Sequence, residues 1–282
     1  MSLYQQLQQR QNDSRPIRVG VIGAGKFGTM FLAQAFRLPG IHIVGIADLA
    51  VDRAKANLKF AGWTNNAYEA TSMKDALASG RTFVTDEKEN LFSTNEIEII
   101  VECTGNPVIA VDHLLAAFKA GKHVISATVE ADAVCGAELS RIAREHGVLY
   151  SMAYGDQPAM VCELVDWART CGFEVAAAGR GHKWKPEYRF STPETVWEHW
   201  GLTREQAERG RLNPKMFNSF LDGTKPAIES AAIANACGLD VPEAGLTYPS
   251  GSIADLPELM KPVFEGGVLS GEGMVEVLNS LD

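Results

Sequence analysis

The chain has no Cys-x-x-Cys pair, no Gly-x-Ser-x-Gly elbow, no His-Glu-x-x-His helix and no apolar run long enough to span a bilayer. Each absence removes a class of function. Five cysteines, Cys103, Cys135, Cys162, Cys171 and Cys237, are scattered and odd in number, which argues against a disulfide framework or zinc knuckle and points to a reducing cytoplasm. Met1 to Arg18 is polar and glutamine-rich, without the apolar core of a signal peptide, although Leu3, Tyr4 and Leu7 can form one stripe of a short docking helix. Positive charge is also scarce: 26 Lys and Arg stand against 35 Asp and Glu, a net charge of −9. That balance disfavours nucleic acid and anionic membrane as partners, so a phosphate-bearing ligand must be met by a local basic site. No internal repeat or low-complexity tract is present.

What is present is an apolar strand running into a glycine turn. Ile17-Arg-Val-Gly-Val-Ile-Gly-Ala-Gly-Lys-Phe-Gly28 carries Gly-x-Gly-x-x-Gly at the point where a strand should hand over to a helix. Gly23 permits the tight turn, Gly25 lets backbone approach a pyrophosphate, and Gly28 lets the helix pack on the strand, while the helix N-terminus offers N–H groups to the anion. Lys26 and Phe27, between the last two glycines, are candidate contacts for the same ligand. The next apolar run ends at Asp48, 20 residues beyond Gly28, where a carboxylate can take an adenosine ribose hydroxyl. Asp48 favours NAD by repelling the extra phosphate of NADP, and Arg53 nearby offers the opposite contact, so the expected cofactor is NAD(P).

Strand-like runs at Ile17–Ile22, His42–Ala47, Ile97–Glu102, His123–Ser126 and Val148–Ser151 alternate with helical patterns at Phe27–Leu38, Val51–Ala61, Val108–Ala120 and Gly136–His146. This alternation predicts an α/β fold, a Rossmann-type doubly wound parallel sheet. Residues 62–96 read as an elaboration of that sheet domain, with a short helix near Ser72–Ser79 and a brief strand at Thr82–Thr85. After Ser151 the pattern changes: a helix at Pro158–Thr170, a strand at Phe173–Ala178, a polar and aromatic stretch to Trp200, and a helix at Pro226–Cys237. The expected division is a cofactor domain over 1–153 and a smaller α+β substrate domain over 154–282, with a Gly- and Pro-rich tail able to return to the first domain.

Ligands of open parallel sheets collect beyond the carboxyl ends of the strands. Thr104 and Gly105, in Cys103-Thr-Gly-Asn-Pro107, stand there and can contact the nicotinamide ribose, or the turn can simply cap the next helix. Glu130, Asp132 and Asp156 follow later strands; such acids can bind a hard divalent cation, transfer protons, hydrogen-bond substrate hydroxyls, or merely start helices. Reduction of a carbonyl also needs a cation or donor for the developing oxyanion. Lys183, with His182 and Lys185 beside it, and Lys225, four residues before Glu229, are the candidates. The same basic cluster can hold a substrate phosphate or carboxylate, or be a solvated loop. His113, His123 and His146 lack metal spacing and read as core or surface residues. Trp184, Tyr188, Phe190, Trp197 and Trp200 read as packing of the second domain or as a lid.

Nearly the whole chain resembles the homoserine-dehydrogenase-like NAD(P)-dependent oxidoreductases, specifically the deoxyxylulose-phosphate-reductoisomerase-like branch. Beyond the glycine turn, the markers are Ala120-Gly-Lys-His-Val124, Val129-Glu-Ala-Asp132, Ala153-Tyr-Gly-Asp-Gln-Pro158 and Asp222-Gly-Thr-Lys with Glu229-Ser-Ala-Ala-Ile-Ala-Asn-Ala-Cys-Gly238. The resemblance implies hydride transfer between NAD(P) and a small polar, phosphorylated carbonyl or hydroxy compound and adds weight to Glu130 and Asp156; with the lysines read from the residues, the expected catalytic set is Lys183, Lys225, Glu130 and Asp156, with His182, Lys185 and Glu229 on substrate. It also implies a divalent metal, for which Glu130, Asp132, Asp156 and Glu229 are the available ligands. Two departures matter. Homoserine dehydrogenases carry lysine where Val129 stands, and reductoisomerases use Asp-x-Glu where this chain has the reverse, Glu130-Ala-Asp132. The branch usually carries a further carboxy-terminal domain, so a shortened chain or a short family member is expected. The expected partner is a small-molecule substrate within a homo-oligomer; the competing readings are a homoserine-dehydrogenase-like enzyme and a nonenzymatic NAD(P)-binding regulator.

Overall fold

The computed structural model describes residues 1–210 and 212–281. The chain divides into two compact units, one of Met1–Ala131 with Cys135–Tyr154, the other of Asp132–Val134 with the residues from Gly155 onward. No helix among the described residues is long and apolar enough to cross a membrane.

The first unit opens with helix α1 (Leu3–Asn12), then alternates β1 (Ile17–Ile22), α2 (Lys26–Ala35), β2 (Ile41–Ala47) and α3 (Val51–Phe60). The elaboration that follows supplies α4 (Met73–Ser79), β3 (Phe83–Thr85) and α5 (Glu89–Ser93). Then come β4 (Ile99–Glu102), α6 (Pro107–Lys119), β5 (His123–Ser126), α7 (Val129–Glu145) and β6 (Tyr150–Met152). The six strands form one parallel sheet in the order β3-β2-β1-β4-β5-β6, a doubly wound topology that reverses beside β1. Because strand side chains alternate, neighbouring residues feed opposite cores: Val21 and Ile43 join Leu32 and Leu58 on one face, while Ile22 and Val44 join Leu114 and Phe118 on the other. Asn106 starts α6 by accepting from Ile109 N at 3.2 Å, with Pro107 next in the first turn.

Lys122, in one of the family-like segments, is a structural residue. Its buried ammonium donates to the carbonyl oxygens of Thr94, Ile97 and Asn95 at 2.7, 2.9 and 3.3 Å. Burial lowers its pKa, and the three carbonyls are what hold the charge there.

Helix α7 begins earlier than the sequence pattern indicates, at Val129 rather than Gly136, and breaks at Cys135, whose φ of −149° is not helical. The break hides the first half of the helix from a periodicity argument.

The second unit contains α8 (Gln157–Thr170), β7 (Ala177–His182), α9 (Val196–His199), α10 (Arg204–Arg209), α11 (Pro214–Leu221), α12 (Thr224–Cys237), β8 (Ser250–Gly251), α13 (Leu256–Leu259) and β9 (Met274–Ser280). Its parallel sheet runs β7-β9-β8. Two expectations change here. The strand expected at Phe173–Ala178 lies four residues later, taking in Gly-Arg-Gly-His182, which reads as a turn. Gly179 is required inside it: an added Cβ would stand 1.8 Å from Glu276 O on β9. The tail, expected to return to the first domain, instead supplies β9, the central and most buried strand of this sheet. Val165 on α8, Ile233 on α12 and Val275 on β9 pack into its core.

Candidate functional site

The three glycines after β1 have three different surroundings. Gly23 has φ of +95°, and a Cβ there would lie 2.9 Å from Cys103 O. At Gly28 a Cβ would lie 2.2 Å from Gly23 O, so only glycine lets α2 sit on the turn. At Gly25, the residue capping α2, a Cβ would meet nothing within 4 Å. Space is kept above Gly25 and used up at Gly23 and Gly28, the division a bound pyrophosphate demands. No side chain caps α2, so its first-turn N–H groups face that space.

A cleft of about 490 Å³ opens there, lined by Gly23 and Gly25, by Asp48 and Arg53 on one side and by Thr104 and Asn106 on the other. The nearly buried Asp48 carboxylate is held in place. Ala24 N donates to Oδ2 at 2.9 Å, Ala50 N to Oδ1 at 2.9 Å, and Arg53 Nη2 to Oδ1 at 3.2 Å. Arg53 itself is 65 % exposed, so one edge of the cleft offers both the acid that suits a ribose diol and a cation that suits a 2′-phosphate. Lys26 and Phe27 are exposed on the first turn of α2 and do not line the cleft, nor does Gly105. Gly105 instead turns the chain at φ of +69° and donates its N–H to Thr128 Oγ1 at 3.0 Å.

Under the Thr104 side lies a buried network that the sequence did not single out. Glu102, at the end of β4, is fully buried. Its carboxylate accepts from Thr104 N at 3.2 Å, from the Thr104 and Thr128 hydroxyls, and from His113 Nδ1 at 3.3 Å. His113, buried as expected for a core residue, also lines the cleft. Burial, with the Glu102 charge adding to it, pushes the Cys103 thiol up, so this cleft-lining cysteine stays a thiol.

In the second unit the charged residues regroup. Arg180 Nη1 pairs closely with Glu229, which is buried on α12. Burial raises the Glu229 pKa; the Arg180 and Lys225 charges oppose the rise and Asp156 adds to it, so all four share one field. His182 shares a strand face with Arg180, two residues on. Burial and the Arg180 charge hold its imidazole below its usual pKa, and its Nε2 has no hydrogen-bond partner. Tyr248 stands beside it, ring centroids 6.5 Å apart, in a left-handed conformation (φ of +52°) rare for a bulky side chain. Burial and the Glu276 carboxylate push its phenol up to about 12, so it remains a donor, and its hydroxyl too lacks a partner. Glu276 holds this turn, accepting from Thr247 N at 3.0 Å and Thr247 Oγ1 at 2.9 Å.

The expected lysines stand at different elements. Lys183 and Lys185 are exposed beyond the end of β7, with Lys185 Nζ 5.8 Å from the Tyr188 ring. Lys225 reaches the Glu229 field. Among the described residues no group of three or more His, Cys, Asp or Glu is placed to hold a metal ion. Glu229 is paired with Arg180, and Asp156 starts α8 and accepts from Gln157 N at 3.0 Å. These residues do not fit a divalent-cation site.

Comparison with known proteins assigns the two units. Residues 17–154 match the family described as the oxidoreductase family with an NAD-binding Rossmann fold, and residues 155–281 match the catalytic domain of oxidoreductase DRL. Each match covers just under half of the chain, one on either side of Tyr154. No curated protein matches it. Among solved structures, a homoserine dehydrogenase from Thiobacillus denitrificans is 24 % identical, over 55 % of this chain and 34 % of that one, with a TM-score of 0.42. A 1-deoxy-D-xylulose 5-phosphate reductoisomerase from Zymomonas mobilis, in complex with NADPH, is 16 % identical over 80 % and 59 %, with a TM-score of 0.49. A probable dehydrogenase from Thermotoga maritima is 17 % identical over 79 % and 56 %, with a TM-score of 0.42. The chain thus spans about a third to three fifths of the length of these proteins.

Gly23, Gly25, Asp48, Arg53 and Thr104, all singled out from the sequence, line the cleft, because strand, turn and helix are local. Sequence reasoning did not single out Glu102, hidden as the last residue of an apolar run, or Arg180, Tyr248 and Glu276 in the second unit. For Arg180 the available signal was an arginine between two glycines; for Tyr248 and Glu276 no local signal exists.

Proposed function

We propose that the chain is an NAD(P)-dependent oxidoreductase acting on a small, polar, anionic carbonyl or hydroxy compound. The observation that carries the reading is the β1–α2 turn, where open space above Gly25 lies next to a fixed carboxylate at Asp48. The matched DRL catalytic domain supports a substrate role for the second unit, and its Arg180, Lys225, His182 and Tyr248 are the groups suited to an anion and a reacting oxygen. NAD(P)H, when bound, supplies a hydride. The carbonyl carbon accepts it, the oxygen becomes an alkoxide and takes a proton, and a guanidinium or phenol near that oxygen lowers the barrier. The Tyr248 phenol and the Arg180 guanidinium are the donors this chain offers. No step is assigned to a metal.

The finer reading is a reductoisomerase-like reaction on a deoxyxylulose-phosphate-like ketose phosphate. Its support is the Ala153–Pro158 and Glu229–Gly238 segments, nearly all inside the matched DRL domain. A homoserine-dehydrogenase-like reaction is disfavoured by Val129, an apolar and buried residue where an ammonium is needed.

The test is oxidation of NADPH and NADH by purified protein with deoxyxylulose phosphate or aspartate semialdehyde. Turnover of the sugar phosphate supports the finer reading; turnover of the semialdehyde alone replaces it. Arg180→Ala and Lys225→Ala should each depress turnover at least about tenfold while cofactor affinity holds. Wild-type turnover in both variants removes this cluster from the reaction.

A further inference from the structure

Glu102 and His113 form a couple whose arrangement serves a ligand as well as the fold. As a carboxylate, Glu102 has about four acceptor sites. Four donors reach it: the Thr104 N–H, the Thr104 hydroxyl and His113 Nδ1 on Oε1, and the Thr128 hydroxyl on Oε2. Thr128 Oγ1 accepts from Gly105 N at 3.0 Å, which commits the Thr128 proton to Glu102. Both carboxylate oxygens therefore have donors. A carboxylate only accepts, so the Nδ1 of His113 carries a proton, and in the neutral form of the ring Nε2 is then an acceptor.

The cleft wall at His113 is the β4 side, with Cys103, Thr104 and Asn106. Asp48 directly follows β2, on the opposite side of β1. A dinucleotide that places its adenosine ribose on Asp48 and its pyrophosphate over Gly25 sends its second ribose toward β4. We infer that His113 Nε2 accepts a hydrogen bond from a hydroxyl of the cofactor's nicotinamide-side ribose, and that Glu102 is the positioning residue that fixes the acceptor tautomer. Nothing else at that wall pairs a ring acceptor with a buried carboxylate. The inference rests on the cofactor reading above.

Fragments of the cofactor separate this contact from a structural role. ADP carries the adenosine and pyrophosphate but no second ribose; ADP-ribose adds it. Affinities of the full-length protein for NADH, ADP-ribose and ADP are measured by calorimetric titration for wild type, His113→Asn and His113→Gln. Asparagine keeps a donor at the Nδ1 position for Glu102 and removes the atom at Nε2; glutamine places a carbonyl oxygen near the Nε2 position.

His113→Asn should weaken ADP-ribose and NADH about three- to tenfold, the range of one hydrogen bond, and leave ADP unchanged. His113→Gln should recover much of that loss. Unchanged ADP-ribose affinity in a folded His113→Asn protein overturns the inference, as does an equal loss for ADP and ADP-ribose. A wild-type protein that binds NADH and ADP but favours ADP-ribose no more than ADP overturns it while sparing the cofactor reading. Binding of none of the three by wild type overturns both.

Discussion

Gly25 and Gly28 stand three residues apart in one turn, and the structure asks different things of them. A side chain at Gly28 meets Gly23 O at 2.2 Å, whereas one at Gly25 meets nothing. Gly28→Ala should therefore cost about 2–4 kcal/mol of stability, read as a lower thermal midpoint, because the neighbour is backbone and cannot move aside cheaply. His182 makes a separate prediction. Burial and Arg180 hold its pKa below the usual imidazole value in the folded protein. A depressed pKa contributes stability that is present above about pH 6.5 and is lost as pH falls below it, since the unfolded chain then takes up the proton more readily. The thermal midpoint of His182→Gln should fall less than that of wild type between pH 7.5 and 5.5. An equal fall in both assigns the acid sensitivity to other groups.

At the scale of elements, the first sheet was legible because parallel strands buried on both faces are nearly continuous apolar runs. Ile17–Ile22 and His123–Ser126 stand where the pattern placed them, and the other runs differ by a residue or two at their ends. The second sheet was not legible. β7 contains two glycines and an arginine, and β9 carries a buried glutamate after a glycine-rich approach, so neither has the composition of a strand. Their pairing is justified only by contacts across nearly a hundred residues, which no local pattern reports. Gly179 tests that account. Gly179→Ala places a Cβ 1.8 Å from Glu276 O and should destabilise the protein by about 2–4 kcal/mol, with loss of the Arg180–Glu229 pair that β7 supports. An alanine variant with the wild-type thermal midpoint would contradict the packing described for β7 and β9.

For the molecule as a whole, the two units differ in how far the sequence reveals their clusters. The cleft of the first unit is written in one strand–turn–helix unit plus the end of the next strand. The charged cluster of the second unit is assembled from α8, β7, α12 and the 247–248 turn, which no local pattern reports. Within this acidic chain, local positive charge stands at both places, with Arg53 at the cleft and Arg180 and Lys225 in the second unit. The central claim is that the space above Gly25 receives a dinucleotide pyrophosphate, and titration of wild type and Gly25→Val with NADPH and NADH tests it most directly. Valine at this open position should leave the thermal midpoint of the free protein within a degree or two and weaken cofactor binding by about a hundredfold. Equal cofactor affinity in the two proteins, with both folded, would contradict the account.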